Sequence, residues 1–163
     1  MYYIACIKMK EKRINFLKKD FVLGFPAYLG FQADKVGDGV FESRLRIRSE
    51  YQQQDGFVHA GLIATIADHT AGYAAYTIVS NDIRILTIEF KINFFKPAIG
   101  EFLVCKSKVI NPGKKIIISE SSVFVVSKEK ETLVSKAIVT LIAVPSMEVM
   151  WRICIKNGIF LFC

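Results

Sequence analysis

The stretch "DGFVHAGLIATIADHTAGYAAY", residues 55–76, carries both histidines of the chain, His59 and His69, and sets one carboxylate, Asp68, in a run rich in alanine. A segment this apolar belongs inside a protein, and a carboxylate withdrawn from water is costly unless it is paired or used. The residues just before it offer a second kind of chemistry. "GFVHAG" leads into a proline-free run, so the amides of Ala60, Gly61 and Leu62 open a helix and find no acceptor within it. Ala60 and Gly61 have almost no side chain to shield those amides, and the helix dipole favours an anionic oxygen there. For His59 the plainer role is structural, capping the helix or bonding a neighbouring loop.

Spacing decides how these groups can cooperate. His59 precedes Asp68 by nine residues, which in a helix is a rotation of about 900° and a rise of about 13.5 Å. The carboxylate and the helix start therefore lie on opposite faces at different heights, and one protomer cannot bring them into one small site. Two copies in a symmetric dimer can. Ala64, Thr65, Ala71, Gly72 and Ala75 flank Asp68 at helical spacings and open that face to close approach. Ordinary helix packing explains the small residues, but not a carboxylate among them.

The elements that must position these groups follow from periodicity. Residues 60–79 are apolar on every side, as in a helix wrapped by protein. Residues 11–21 alternate charge with Ile14, Phe16, Leu17 and Phe21, which predicts a short amphipathic helix. Residues 29–47 read as two strands around a Gly-Asp-Gly turn at 37–39. After Asn81 the period changes to two in "LTIEFKINFF", and three further strand-like runs follow, "EFLVCKSKVI", "KIIISESSVFVVS" and "TLVSKAIVTLIAV". Turns at 97–100, 111–113 and 128–131 separate them, so an antiparallel meander is expected. The fold class is α+β, a curved antiparallel sheet around one long central helix. Residues 1–21 read as an N-terminal extension with a short helix, 22–145 as the main domain, and 146–163 as a tail. Asn157-Gly158 in that tail is a two-residue hairpin signal.

Composition narrows the partners. The 163 residues are 52% hydrophobic, enough for one full core. A net charge of +7 favours anionic partners, yet no block of five or six basic residues appears, which points to a small polyanion rather than nucleic acid. Cys6, Cys105, Cys154 and Cys163 lie far apart and form neither a metal-binding nor a disulfide pattern. "MYYIACIKMKEKR" puts its apolar residues before its charges, the reverse of a secretory signal, and no apolar run approaches the ~18 residues of a membrane helix. A cytoplasmic protein without a membrane partner is expected.

"QQQDGFVHAGLIATIADHTAGYAAY" resembles the signature of hotdog-fold acyl-CoA thioesterases of the phenylacetate-pathway (PaaI-like) type, Asn-x-x-Gly-x-x-His-Gly-Gly with an aspartate nine residues after the histidine. "AYLGFQADKVGDGVFESRLRI" upstream, and "TIEFKINFFKPAIGE" and "VINPGKKIIISESSVFV" downstream, resemble the same family, over about 22–144. The resemblance implies a hotdog fold and hydrolysis of acyl-CoA, with coenzyme A as part of the substrate and neither cofactor nor metal. It implies that Asp68 is nucleophile or general base, that the Ala60 N–H holds the oxyanion and that His59 orients that region. Thr87 matches a position where a hydroxyl lies beside the aspartate. Gln53 stands where the family usually has Asn, keeping the amide with one more methylene. Ala60 stands for the usual first Gly and keeps its N–H. Gly61 and Thr65 would border the substrate, and Lys96 and Lys114 would meet coenzyme A phosphates. The family builds its sites across a dimer interface and commonly pairs dimers into tetramers. Two alternatives compete: a hotdog hydroxyacyl dehydratase, although "HAGLIATIAD" lacks the proline and glycine that follow the histidine there, and a non-catalytic acyl-CoA-binding module.

Overall fold

The computed structural model describes residues 11–146, so the hairpin signal at Asn157-Gly158 lies outside the described residues. The first helix, α1 (Glu11–Phe21), has the bounds its periodicity predicts, with Leu17 and Phe21 fully buried and Lys12 and Lys19 exposed. A second, short helix, α2 (Phe25–Leu29), occupies a stretch whose end the sequence reading gave to the first strand. Pro26 suits its first turn, and Gly30 ends it in the left-handed region at φ 79°.

Six strands form one antiparallel sheet: β1 (Gln32–Gly37), β2 (Val40–Arg46), β3 (Ile83–Phe94), β4 (Phe102–Pro112), β5 (Ile116–Ser127) and β6 (Lys130–Pro145), in the order β1-β2-β4-β5-β6-β3. The consecutive strands β4, β5 and β6 are the expected meander. The expectation fails for β3, which pairs with β6 at the far edge rather than with β4. The connection explains this. The chain leaves β2 through a 3₁₀ turn (Ser49–Tyr51), crosses the sheet as the central helix α3 (Ala60–Tyr76) and emerges at the opposite edge. It then returns beneath the start of α3, where the Val58 N–H donates to the Ala98 carbonyl at 3.0 Å, and enters β4 beside β2.

The strand side chains under α3 are small. Ser43, Ser107, Ser119, Ser121 and Ser135 are all buried, and Ala67, Ala71 and Ala74 of α3 are fully buried. Serine facing alanine lets the helix backbone lie close to the strands, while Ile66, Leu103, Ile117, Val139 and Leu141 supply the apolar bulk. Tyr76 ends α3 three residues earlier than periodicity suggests. The Arg13 guanidinium donates to the Tyr76 carbonyl at 2.9 Å and also bonds the Asn81 side chain, satisfying groups that a finished helix leaves open.

Candidate active site

The loop before α3 holds Gln53. Its N–H donates to the Phe57 carbonyl at 2.8 Å and its carbonyl accepts from Gly56 at 3.0 Å, closing a tight turn that Gly56 permits at φ 79°. The Gln53 side-chain amide makes no hydrogen bond within the described residues. The loop is anchored by the His59 N–H on the Tyr51 carbonyl at 2.8 Å and by the Tyr51 hydroxyl on the Leu29 carbonyl at 2.6 Å.

His59 is the N-cap of α3, and its Nδ1 accepts from the Gly61 N–H at 2.9 Å. With Nδ1 an acceptor, the neutral ring carries its proton on the exposed Nε2. A Cβ added at Gly61 would lie 3.0 Å from that Nδ1, so the cap and the glycine require each other. The Leu62 N–H donates to the His59 carbonyl at 3.0 Å. Of the three amides singled out in the sequence, two are therefore occupied. Only the Ala60 N–H, on an exposed residue, has no acceptor among the described residues. Thr65 returns its hydroxyl to the Gly61 carbonyl at 2.8 Å, so it offers an oxygen rather than a proton.

Asp68 sits half-buried in the middle of α3, on the side facing β3. The Thr87 hydroxyl donates to its Oδ1 at 2.8 Å. Thr87 lies opposite Leu141, and the ladder slips immediately after it, between Thr87 and Glu89. Such a bulge re-aims the side chains beside it, and here it separates Thr87 from the regular alternation of the rest of β3. No cation pairs with Asp68 among the described residues, and Thr87 is the side chain that bonds its carboxylate there.

His69, the other histidine, does different work. Its Nε2–H donates to the Phe21 carbonyl at 2.9 Å, and its ring packs against Phe21, Phe31 and Tyr73. Burial holds its pKa below the ordinary histidine value, against the opposing effects of that hydrogen bond and of Asp68 and Asp20. It buckles α1 to α3.

The structure thus brings Asp68 and Thr87 together and, separately, gathers His59, Ala60, Gly61 and Thr65 at the helix start near the Gln53 loop. It does not bring the two groups into contact within one chain. Lys96 follows β3 at the end of the fold that holds the helix start. Lys114 lies past the other end, in a cavity of about 600 Å³ bordered by Ile78, Val79 and Pro112. That end is roughly 25 Å from Ala60 along a 17-residue helix. Among the described residues no cluster of three or more His, Cys, Asp or Glu could hold a metal ion. Sequence reading missed the buried hydroxyls beneath Asp68. Their only signal was serine at inward-facing alternate positions, 119 and 121, of an otherwise aliphatic strand.

The comparisons with known proteins agree with this architecture. A model of the thioesterase superfamily matches residues 55–131, the segment from the Gln53 loop through α3 to the start of β6. A thioesterase family protein from Silicibacter pomeroyi superposes with a TM-score of 0.79 at 28% identity, covering 82% of this chain and 99% of that one. The E. coli PaaI protein from the phenylacetic acid degradation operon shares the fold, with a TM-score of 0.73 at 14% identity over 85% of this chain and 97% of its own. A Halobacterium salinarum protein that carries a provisional esterase name is 28% identical over 107 residues, 61% of this chain and 69% of that protein. With its helix cradled by a curved six-stranded sheet, the chain has the hotdog fold, and its match to the thioesterase superfamily over residues 55–131 supports a hydrolase of the thioester-cleaving kind.

Proposed function

We propose that the protein hydrolyses acyl-CoA thioesters in sites shared between two copies of the chain. The observation that carries this reading is the Asp68 carboxylate, oriented by the Thr87 hydroxyl at 2.8 Å beside the edge strand of the sheet. A half-buried carboxylate that is hydrogen-bonded through one oxygen has its other oxygen available for chemistry. Asp68 either takes a proton from water as the water attacks the thioester carbonyl, or attacks that carbonyl itself to give a mixed anhydride that water then opens. In both routes the carbon–sulfur bond breaks and coenzyme A leaves as the thiol.

The Ala60 N–H of the other copy polarises the carbonyl and receives the oxyanion, reinforced by the helix dipole. His59 holds the first turn open for it, and its Nε2–H and the Gln53 amide are further donors beside the acyl group. Gly61 and Thr65 form the floor on which the thioester lies. Lys96 meets the anionic part of coenzyme A, and Lys114 meets it from the opposite helix end, consistent with the net positive charge. The paired chains associate further as a dimer of dimers.

Thiol release from acetyl-, hexanoyl-, palmitoyl- and benzoyl-CoA tests the reading. Hydrolysis of at least one, abolished in Asp68→Asn with the fold retained, is the expected result. Stabilisation by acyl-CoA without thiol release would instead mark a binding module. Wild-type turnover in Asp68→Asn would remove Asp68 from the chemistry.

A further inference from the structure

Beneath Asp68 runs a chain of buried hydroxyls whose direction can be worked out by counting protons. The Ser121 hydroxyl, fully buried on β5, lies 2.7 Å from the carbonyl of Ala67, the residue before Asp68, and must donate to it. Ser121 has one proton, so at its 2.7 Å contact with Ser107 it accepts. Ser107 is then spent as a donor, and its 3.6 Å contact with Cys105 is one in which the thiol donates. A second tether runs from β2. Thr70 gives its proton to the Ile66 carbonyl at 2.6 Å, so Ser43 is the donor at its 2.7 Å contact with Thr70. Both polar chains therefore point towards α3 and end on the turn that carries Asp68.

We infer that Ser121 is a positioning residue for the reaction, setting the rotational phase of α3 so that Asp68 meets Thr87 and the site beyond it. The inference rests on the catalytic role proposed for Asp68. One helical turn, residues 67–70, is fixed at three points by three strands: Ala67 by Ser121 of β5, Asp68 by Thr87 of β3, and Thr70 by Ser43 of β2. The strip of α3 over β4 and β5 is alanine, at Ala67, Ala71 and Ala74, and such short side chains interlock little with the strands. Directional bonds must then do what ridges and grooves do elsewhere. The Ala67 carbonyl also belongs to the regular helix ladder, so a bond to its second lone pair fixes backbone rather than a swinging side chain. Without it the helix can roll, and a carboxylate displaced by about 1 Å can lose up to ~10²-fold in rate.

Two neighbouring variants separate positioning from packing. Ser121→Ala removes the donor to Ala67, whereas Ser107→Ala removes a buried hydroxyl of equal size and leaves that donor in place. Both are expected to lower the melting temperature. Only Ser121→Ala should lower kcat, by ~10-fold or more with KM nearly unchanged, on the fastest substrate of the acyl-CoA panel. It should also shift the ¹³C resonance of the Asp68 carboxylate, assigned with Asp68→Asn. Ser121→Cys keeps a weaker donor in nearly the same volume. It should fall between the two and serves if the alanine variant does not fold. Wild-type kcat in Ser121→Ala, or an equal loss in Ser107→Ala, overturns the inference while an inactive Asp68→Asn leaves the reaction standing. An Asp68→Asn protein with wild-type turnover overturns both.

Discussion

Two buried or half-buried polar side chains make opposite predictions. Gln53 keeps a side-chain amide that has no partner among the described residues beside the helix start, one methylene longer than the Asn usual in the family it resembles. If it holds water or the acyl group, Gln53→Ala should lower kcat by ~10-fold, because a neutral hydrogen bond contributes about 0.5–1.5 kcal/mol and its orphaned partner costs more. Gln53→Asn should be far milder. Steady-state kinetics on the acyl-CoA panel distinguish these outcomes, and equal rates in all three proteins would leave Gln53 a loop residue. Ser119 is the contrary case. Its hydroxyl is fully buried and has no partner among the described residues. A lost partner costs about 1–3 kcal/mol, so Ser119→Ala should stabilise the fold by roughly 1 kcal/mol, read as a higher urea midpoint at unchanged slope.

At the scale of elements, α1 is held to α3 by a histidine whose neutral form is the stable one. The His69 pKa lies below its ordinary 6.5 because burial disfavours the charged ring, even with Asp20, Asp68 and the Tyr73 ring around it. The unfolded chain then binds more protons near that pH than the folded one. The stability His69 contributes is present above about pH 6.5 and is lost as pH falls towards the lowered folded value. Melting temperatures between pH 7.5 and 5 should decline with this slope, and His69→Phe should flatten it whatever it does to the absolute stability. The same elements show what a sequence makes legible. Helix α1, the start of α3 at Ala60, and the four later strands with the three turns between them follow from periodicity and punctuation, which are local. The place of β3 beside β6 was hidden because it depends on where α3 crosses the sheet, and α2 was hidden because five residues carry no period. Asp68 and the helix start stood out as a carboxylate and small residues in an apolar run. The link from Thr87 to Asp68 came only through family resemblance, since 19 residues separate the two. The tether from Ser121 was invisible, because which strand lies under which helical turn is a tertiary fact.

For the molecule as a whole, the unfinished feature is β3. It pairs with β6 along one side, and among the described residues nothing covers its other edge. Along its 12 residues Leu86, Ile88, Phe90 and Phe94 are 40–55% exposed, a long apolar edge of the kind that recruits another strand. A second copy paired there by a two-fold axis would bring each Asp68, which faces β3, towards the other chain. Helical geometry asks for the same partner, because Asp68 and Ala60 lie about 80° apart around α3 and about 12 Å apart in height, too far to share one small site. Complementation tests this directly. One chain carries Asp68→Asn. The other carries Gly61→Val, whose side chain must displace the His59 ring that a Cβ would already meet at 3.0 Å. Each variant alone should be inactive. In a heterodimer isolated with two different tags, one site combines both lesions and the other combines the intact Asp68 of one chain with the intact helix start of its partner. Activity should return to about half the wild-type rate per dimer. Verified heterodimers that stay inactive would mean that each site is built within a single chain, and the long reach from Ala60 to Asp68 would then need a different explanation.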